Sequence, residues 1–174
     1  MPEPAVVFEE RLRVPAGVHT LGAFRRWAFS EAFPNDGRID FLDGDVEVEM
    51  SPEDLFTHGA VKAAISARLH DAVVGGDRGE VFIDRARVTH EGADLSVEPD
   101  VVVVLWESLD SGRVRYTQAA GRRPGRFTEI AGAPDLVVEV VSDGSEHKDT
   151  ERLPHLYAAA GIPEMWLVDA RGDE

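Results

Sequence analysis

Residues 97–105 read VEPDVVVVL, an apolar run that follows an acidic, proline-containing start. A second run of this type, LVVEVVS, covers residues 136–142. Unbroken apolar runs bounded by proline and charges are typical of central strands that are covered on both faces. Asp100 directly precedes the apolar part of the first run, Val101 to Leu105, and Glu139 lies inside the second, among neighbours that should be buried. Because burial of an unpaired carboxylate is costly, these acids need a partner, a solvent cleft or a cation.

The residues before the first run predict a helix, a hairpin and a second helix. Thr20 can cap a short helix with apolar residues at three- and four-residue spacing. Asp43-Gly44 lies between alternating runs at residues 38–42 and 45–50, which predicts a β-hairpin. The sequence SPED at residues 51–54 predicts the start of a long helix, with Ser51 as its cap. Its expected core stripe is Leu55, Val61, Ile65, Leu69 and Val73.

The remaining segments predict further strands and one more helix. Residues 80–88 and 164–169 have strand patterns, and residues 149–160 predict a helix closed by Gly161 and Pro163. This order of elements favours an α/β fold, in which a mixed β-sheet is flanked by helices, with an N-terminal helix and β-hairpin.

Length and composition limit the class of protein. A chain of 174 residues and 19.0 kDa predicts a single domain over residues 1–174, with a poorly patterned N-terminal segment at 1–19. The absence of Cys excludes disulfides, a thiolate zinc site and a cysteine nucleophile. Because neither a membrane-length apolar run nor a signal-peptide pattern is present, we expect a cytoplasmic protein with no membrane partner.

Charge is unevenly distributed over a chain whose net charge is -15. Nine acids lie between Glu31 and Asp54, with Arg38 as the lone cation. Residues 111–128 reverse the sign with five arginines and no acid: Arg113, Arg115, Arg122, Arg123 and Arg126. A solvated acidic face and a basic surface loop are the simpler interpretation. In the alternative, the arginines bind nucleic-acid phosphate, and Tyr116 and Phe127 stack on an unpaired base.

Asp100 and Glu139 lie in strands that are plausible neighbours, which favours a divalent-metal site. Oxygen ligands from one or two carboxylates suit Mg²⁺ or Mn²⁺, and such a metal can support phosphodiester hydrolysis. An ion pair or a strand-end cap is the alternative for each acid. His147, Asp149 and His155 lack the short fixed spacing of strong zinc motifs.

An ordered set of motifs resembles a known family. The stretches are Gly37 to Asp45, Met50-Ser51-Pro52 with His58, Pro99-Asp100, Glu139 to Ser142, and Leu156 to Asp169. Together they resemble the Uma-two (Uma2) family of restriction endonucleases, in the PD-(D/E)XK nuclease superfamily, over nearly the whole chain. The resemblance implies a restriction-endonuclease-like fold and a metal-dependent endonuclease with Mg²⁺ or Mn²⁺ as cofactor. The implied partner is nucleic acid, DNA in the first place. The resemblance leaves open whether the protein forms a homodimer.

The resemblance also implies roles for single residues. Asp100 and Glu139 match the metal-binding acids, and the backbone carbonyl of Val140 is expected to face the metal. Asp40 takes the place of a usual Glu and would be a third acid near the site. His58 matches a recurrent histidine, although a hydrogen-bonded histidine at a helix start explains it equally.

This chain departs from the family pattern at the catalytic lysine, which orients water or stabilises developing charge. The superfamily lysine position is Val141, and the position usual in the Uma2 family is Leu153. Lys148, one of only two lysines in the chain, can replace it if the loop entering the helix brings it to the site. Otherwise it is a surface lysine, and the chain is a catalytically inactive nuclease-fold domain that binds nucleic acid or protein.

Overall fold

The computed structural model describes residues 12–118 and 124–172. Residues 80–88, predicted as one strand, belong to two strands, Gly79–Ile83 and Arg87–His90, in different sheets. The helices are α1 (Leu21–Ala28), α2 (Val61–Val73), α3 (Trp106–Asp110) and α4 (Leu153–Ala159). A π-helical turn leads into each of α2 and α4, at Leu55–Ala60 and Lys148–Arg152. The strands are β1 (Arg38–Leu42), β2 (Asp45–Glu49), β3 (Gly79–Ile83), β4 (Arg87–His90), β5 (Leu95–Val97), β6 (Val101–Leu105), β7 (Val114–Thr117), β8 (Glu129–Gly132), β9 (Leu136–Val140) and β10 (Glu164–Val168).

The strands form two mixed sheets. The larger sheet has the order β2-β1-β5-β4-β8-β7, and the smaller has the order β10-β9-β6-β3. The β4–β8 and β9–β10 pairs are parallel, and the other pairs are antiparallel. The α/β class with mixed β-structure and flanking helices is therefore confirmed. The division into two sheets was not expected.

The division occurs inside the stretch from residue 97 to residue 105. Val97 ends β5 in the larger sheet, and Val101 begins β6 in the smaller sheet. Glu98, Pro99 and Asp100 cross between the sheets, where the backbone of Pro99 has no N–H for a ladder. The prediction of one continuous strand over this stretch was wrong. Asp100 lies at the junction between the two sheets, directly before Val101.

The hairpin and the first helix are confirmed in detail. Asp43 and Gly44 have φ of 48° and 88° and join the antiparallel strands β1 and β2, as a two-residue turn with positive φ requires. Thr20 caps α1, since its Oγ1 accepts a hydrogen bond from the N–H of Ala23 at 3.2 Å.

The start of the second helix differs from the prediction. Asp54, rather than Ser51, is the cap, because its carboxylate accepts the N–H groups of Phe56 and Thr57. Leu55 was expected in the core stripe but is 76% exposed. The π-helical turn changes the angular spacing, so the stripe applies only to the α-helical part, where Leu69 and Val73 are buried.

Three apolar clusters hold the layers together. The main cluster joins Leu42 and Leu95 of the larger sheet to Val102 of the smaller sheet and to Leu153 and Tyr157 near the C-terminus. The outer face of the smaller sheet packs on α2, and the outer face of the larger sheet packs on α1. The main core therefore lies between the two sheets. None of the helices in the described residues has the length and apolarity that crossing a membrane requires.

Candidate active site

Strand alternation directs three acids into the space between the sheets. Successive side chains of a strand point to opposite faces, so residues two apart share a face. Leu42, Val102 and Val137 belong to the main core. Asp40, Asp100 and Glu139 each lie two residues from one of these and are buried, at 2%, 0% and 1% exposure.

The register of β6 and β9 places Asp100 beside Glu139. These strands are antiparallel, and Val101 pairs with Val138. One further step of the same register sets Asp100 opposite Glu139. The N–H of Val140 donates to Asp100 Oδ2 at 2.8 Å, which joins the two strand ends. The expectation that these acids lie on adjacent strands is met.

Asp100 is surrounded by cationic and hydrogen-bonding groups. Arg38 Nη2 lies 2.7 Å from Oδ1, and His58 Nε2 lies 3.4 Å from Oδ2. Burial opposes ionisation of Asp100, but His58, Arg38 and the Val140 N–H together hold its pKa well below the usual value. The Asp100 hydrogen bond in turn raises the pKa of His58. Asp100 is therefore an anion at neutral pH.

Glu139 lies in a different environment from Asp100. Its Oε1 accepts a hydrogen bond from the hydroxyl of Tyr157 at 2.5 Å. Burial and the nearby charges of Asp100 and Asp149 raise the pKa of Glu139 well above its ordinary value. Asp149 is buried too, and burial raises its pKa to about 6. Without an added cation, this part of the site favours protonated carboxyl groups.

Lys148 reaches the acidic centre from the π-helical turn before α4. Its Nζ lies 3.0 Å from Asp40 Oδ2 and 3.8 Å from Glu49 Oε2. Burial opposes the charge of the ammonium group, but Asp40 and Glu139 raise the pKa of Lys148. The surface interpretation of Lys148 does not hold, since only 8% of the residue is exposed.

Among the described residues, two of the four buried acids at the centre have no cationic partner. Arg38 and Lys62 lie beside Asp100, and Lys148 contacts Asp40, whereas Glu139 and Asp149 form no ion pair within the part of the chain that the structure describes. Asp149 Oδ1 is a buried acceptor without a hydrogen-bond partner among the described residues. The atoms available as metal ligands are carboxylate oxygens, which Mg²⁺ and Mn²⁺ prefer. These residues therefore fit a hard divalent cation.

A second group of possible ligands adjoins Asp100. Glu53, His58 and Asp100 each offer one ligand atom, and these atoms lie within 4.8 Å of one another. His58 Nδ1 lies 3.1 Å from Glu53 Oε2. Lys62 competes for this group, because its Nζ lies 2.9 Å from Glu53 and 3.8 Å from Asp100. His58 is thus brought to the site, as the resemblance implied.

Two cavities open beside the buried acids. The larger has a volume of about 420 Å³ and is lined in part by Glu53, His58 and Lys62. The smaller, of about 60 Å³, is lined in part by Asp40 and Lys148. Arg38 lines both cavities and contacts Asp100.

The structure describes three of the five arginines and does not bring these three together. Arg113 pairs with Asp135. Arg115 lines a cavity beside Arg25, whereas Arg126 lines a different cavity beside Tyr116. Arg122 and Arg123 lie outside the described residues. A joint phosphate-binding role of the five remains a prediction.

Sequence reasoning missed several residues of the site. Arg38 was noted only as the lone cation of an acidic run, and that isolation was the available signal. Lys62 was noted only as the second lysine, although it is 8% exposed inside a helix and contacts Glu53 and Asp84. Asp149 was considered only with His147 and His155, and Tyr157 only as part of a family motif, because only the fold shows that both lie near Glu139.

Comparisons with known proteins concern the fold and the family of this chain. The search of curated proteins found no match. A solved structure described as "a putative nuclease belonging to DUF820", from Anabaena variabilis, has a TM-score of 0.57 and 18% sequence identity, over 88% of this chain and 81% of that chain. At this identity the likeness shows the fold. A family model for Uma2, described as "Putative restriction endonuclease", matches residues 21–174. The chain therefore belongs to the Uma2 family.

Proposed function

We propose that this protein is a metal-dependent endonuclease that hydrolyses phosphodiester bonds of nucleic acid, DNA in the first place. The observation that carries the proposal is a pair of buried acids, Glu139 and Asp149, that form no ion pair within the described residues and lie beside Asp100 and the ammonium of Lys148. Such an arrangement is costly unless it binds a cation. Membership in the Uma2 family supports the same reaction class.

Asp100, Glu139 and the backbone carbonyl of Val140 would hold the cation, Mg²⁺ or Mn²⁺. Asp149 is available to the same centre through its unpartnered Oδ1. When bound, the cation supplies Lewis-acid polarisation of a phosphate oxygen and a nucleophilic water at neutral pH.

Lys148 and Asp40 form a positioning pair. Because the pKa of Lys148 is raised, its ammonium keeps its proton at neutral pH. It therefore donates hydrogen bonds and positive charge to a reacting phosphate and does not act as a general base. Asp40 fixes the ammonium at 3.0 Å and is itself fixed by the N–H of Glu98.

Arg38 favours the alternative function, an inactive nuclease fold that binds nucleic acid or protein. Its guanidinium already neutralises Asp100 at 2.7 Å, and Leu153 occupies the usual lysine position. In the active protein, Arg38 must share Asp100 with the cation or turn toward the cavity, where a guanidinium suits phosphate.

Cleavage of plasmid and of labelled oligonucleotides distinguishes the two functions. We expect cleavage in Mg²⁺ or Mn²⁺ and none in EDTA. Glu139→Gln keeps an acceptor for Tyr157 but lowers cleavage at least about 100-fold, and Lys148→Met lowers it about 100- to 1,000-fold. Exposed controls, Glu151→Gln and Arg68→Met, retain the wild-type rate. Cleavage in EDTA, or a wild-type rate in Glu139→Gln, would contradict the proposal.

A further inference from the structure

A second large cavity lies next to the candidate active site. Its volume is about 660 Å³, and β3, β7 and residues 125–130 enclose it. Its lining includes Phe82, Tyr116, Phe127, Glu80, Arg85 and Arg126. None of the residues placed in the acidic centre lines it, so its aromatic lining is not explained by the metal chemistry.

Three aromatic rings form one side of this cavity. The ring centroids of Phe82 and Tyr116 are 5.7 Å apart, and those of Tyr116 and Phe127 are 5.9 Å apart. Phe127 is 57% exposed, which is unusual for a side chain that packs on another ring. Exposed rings of this kind bind unpaired bases by stacking, because every base has an aromatic face.

Polar groups of the cavity complement the rings. The Tyr116 hydroxyl is buried and has no hydrogen-bond partner among the described residues. A base carries donors and acceptors at its edge, so it can satisfy such a group. Arg85 and Arg126 form no ion pair within the part of the chain that the structure describes. Their charge suits the phosphates of the same strand.

Arg85 connects this cavity to the active site. It lines both the 420 Å³ and the 660 Å³ cavities. It follows Asp84 in a turn where both residues have positive φ, 47° and 51°, a conformation unfavourable for residues other than glycine. Asp84 anchors the turn through Lys62 at 2.7 Å and through its N–H to the Asp100 carbonyl at 3.2 Å. Strained residues held in this way concentrate at functional sites.

We propose that the cavity of Phe82, Tyr116 and Phe127 binds an unpaired base of the substrate strand, with Arg85 on the phosphate between this base and the acidic centre. This inference rests on the proposed nuclease function. It assigns the substrate class, single-stranded or locally unpaired nucleic acid, because a stacked and paired base cannot enter a cavity of this kind.

Fluorescence anisotropy with one labelled oligonucleotide, as a single strand and as its matched duplex, tests the inference in EDTA at low salt. We expect the wild type to bind the single strand more tightly. Phe127→Ala weakens single-strand binding about 5- to 150-fold, the range measured for loss of one stacked base, and leaves duplex binding unchanged. Phe127→Leu, which keeps an apolar side chain, shows the same direction. Trp166→Ala, at an exposed aromatic residue of β10 that does not line the cavity, retains wild-type binding.

The outcomes separate this inference from the nuclease function. Unchanged single-strand affinity in Phe127→Ala, equal losses on single strand and duplex, or no binding of either by the wild type overturns the base cavity. If the wild type shows metal-dependent cleavage alongside such a result, the base cavity is overturned and the proposed nuclease function is unaffected. Conversely, a Phe127-dependent preference for the single strand without any metal-dependent cleavage supports the cavity and overturns the nuclease function.

Discussion

Lys148 Nζ lies 3.0 Å from Asp40 Oδ2, although 108 residues separate them in the chain. Five residues beyond Lys148, Leu153 has the usual lysine position of the family but is buried in the apolar core. The π-helical turn from Lys148 to Arg152 delivers the ammonium to the acids one turn earlier than the motif predicts. This geometry supports the proposal that Lys148 takes the role of the missing lysine.

Leu153→Lys should harm the protein without increasing the rate of cleavage. The substitution removes a buried Leu and places an amine in the main core, so we expect the free energy of unfolding to fall by about 2–5 kcal/mol. Leu153→Met, which conserves volume, should cost less than about 1.5 kcal/mol. Urea denaturation measures both. A Leu153→Lys variant that is as stable as the wild type and cleaves faster would show that position 153 is the better lysine site.

Arg38→Met should raise the affinity for Mn²⁺. The guanidinium contacts Asp100 Oδ1 at 2.7 Å, and removal of a competing cation at this distance should increase affinity by about tenfold or more. In EDTA the same variant should be about 3–5 kcal/mol less stable, because Asp100 loses its partner. Calorimetric titration checks the affinity, with Arg68→Met as the exposed control. A folded variant with wild-type affinity would mean that Arg38 does not compete for the cation position.

The stability contributed by His58 should depend on pH. The hydrogen bond to Asp100 raises the folded pKa of His58 above the unfolded value near 6.5. The contribution is therefore fully present below about pH 6.5 and is lost as the pH rises through the folded pKa. In EDTA, the stability difference between wild type and His58→Gln should be larger at pH 6 than at pH 9. The exposed His70→Gln is the control. A difference that stays constant or grows with pH would show that protonated His58 does not bind Asp100.

The hydroxyl of Tyr157 should stabilise the buried carboxyl group of Glu139. Tyr157→Phe leaves the buried Glu139 carboxyl without its 2.5 Å donor, so we expect a loss of about 1–3 kcal/mol in EDTA. Glu139→Gln keeps an acceptor and carries no charge, so its stability in EDTA should lie within about 1 kcal/mol of the wild type. Thermal unfolding measures both variants. A Glu139→Gln variant that is much less stable would show that Glu139 is ionised without a cation.

Local chemistry explains which elements were predictable. The Asp43-Gly44 turn and the Thr20 cap depend on neighbours within a few residues, and both are as predicted. The run from residue 97 to residue 105 was predicted as one strand, because apolar periodicity does not show that a chain changes sheet at Pro99. The exposure of Leu55 follows from a π-helical turn, which changes the helical period without a sequence signal that we recognised.

From the residues alone, only two members of the site were predictable, Asp100 and Glu139; Asp40, His58 and Lys148 were indicated through the family resemblance. Asp100 and Glu139 interrupt apolar runs, so burial cost alone identifies them. Their cationic neighbours come from distant parts of the chain: Arg38 from β1 and Lys62 from α2. Such contacts depend on the packing of the two sheets against α4 and α2, which sequence periodicity does not specify.

Calorimetric titration of Mn²⁺ at pH 8 into the wild type, Asp100→Asn and Glu139→Gln tests whether Asp100 and Glu139 together hold a divalent cation. At this pH Asp149, with a pKa of about 6, has lost its proton, so the cation meets little competition from protons. We expect one Mn²⁺ site in the wild type that is lost in both variants, while Glu151→Gln binds Mn²⁺ as the wild type does. Unchanged Mn²⁺ binding in Asp100→Asn and Glu139→Gln, or no binding by the folded wild type, would contradict it.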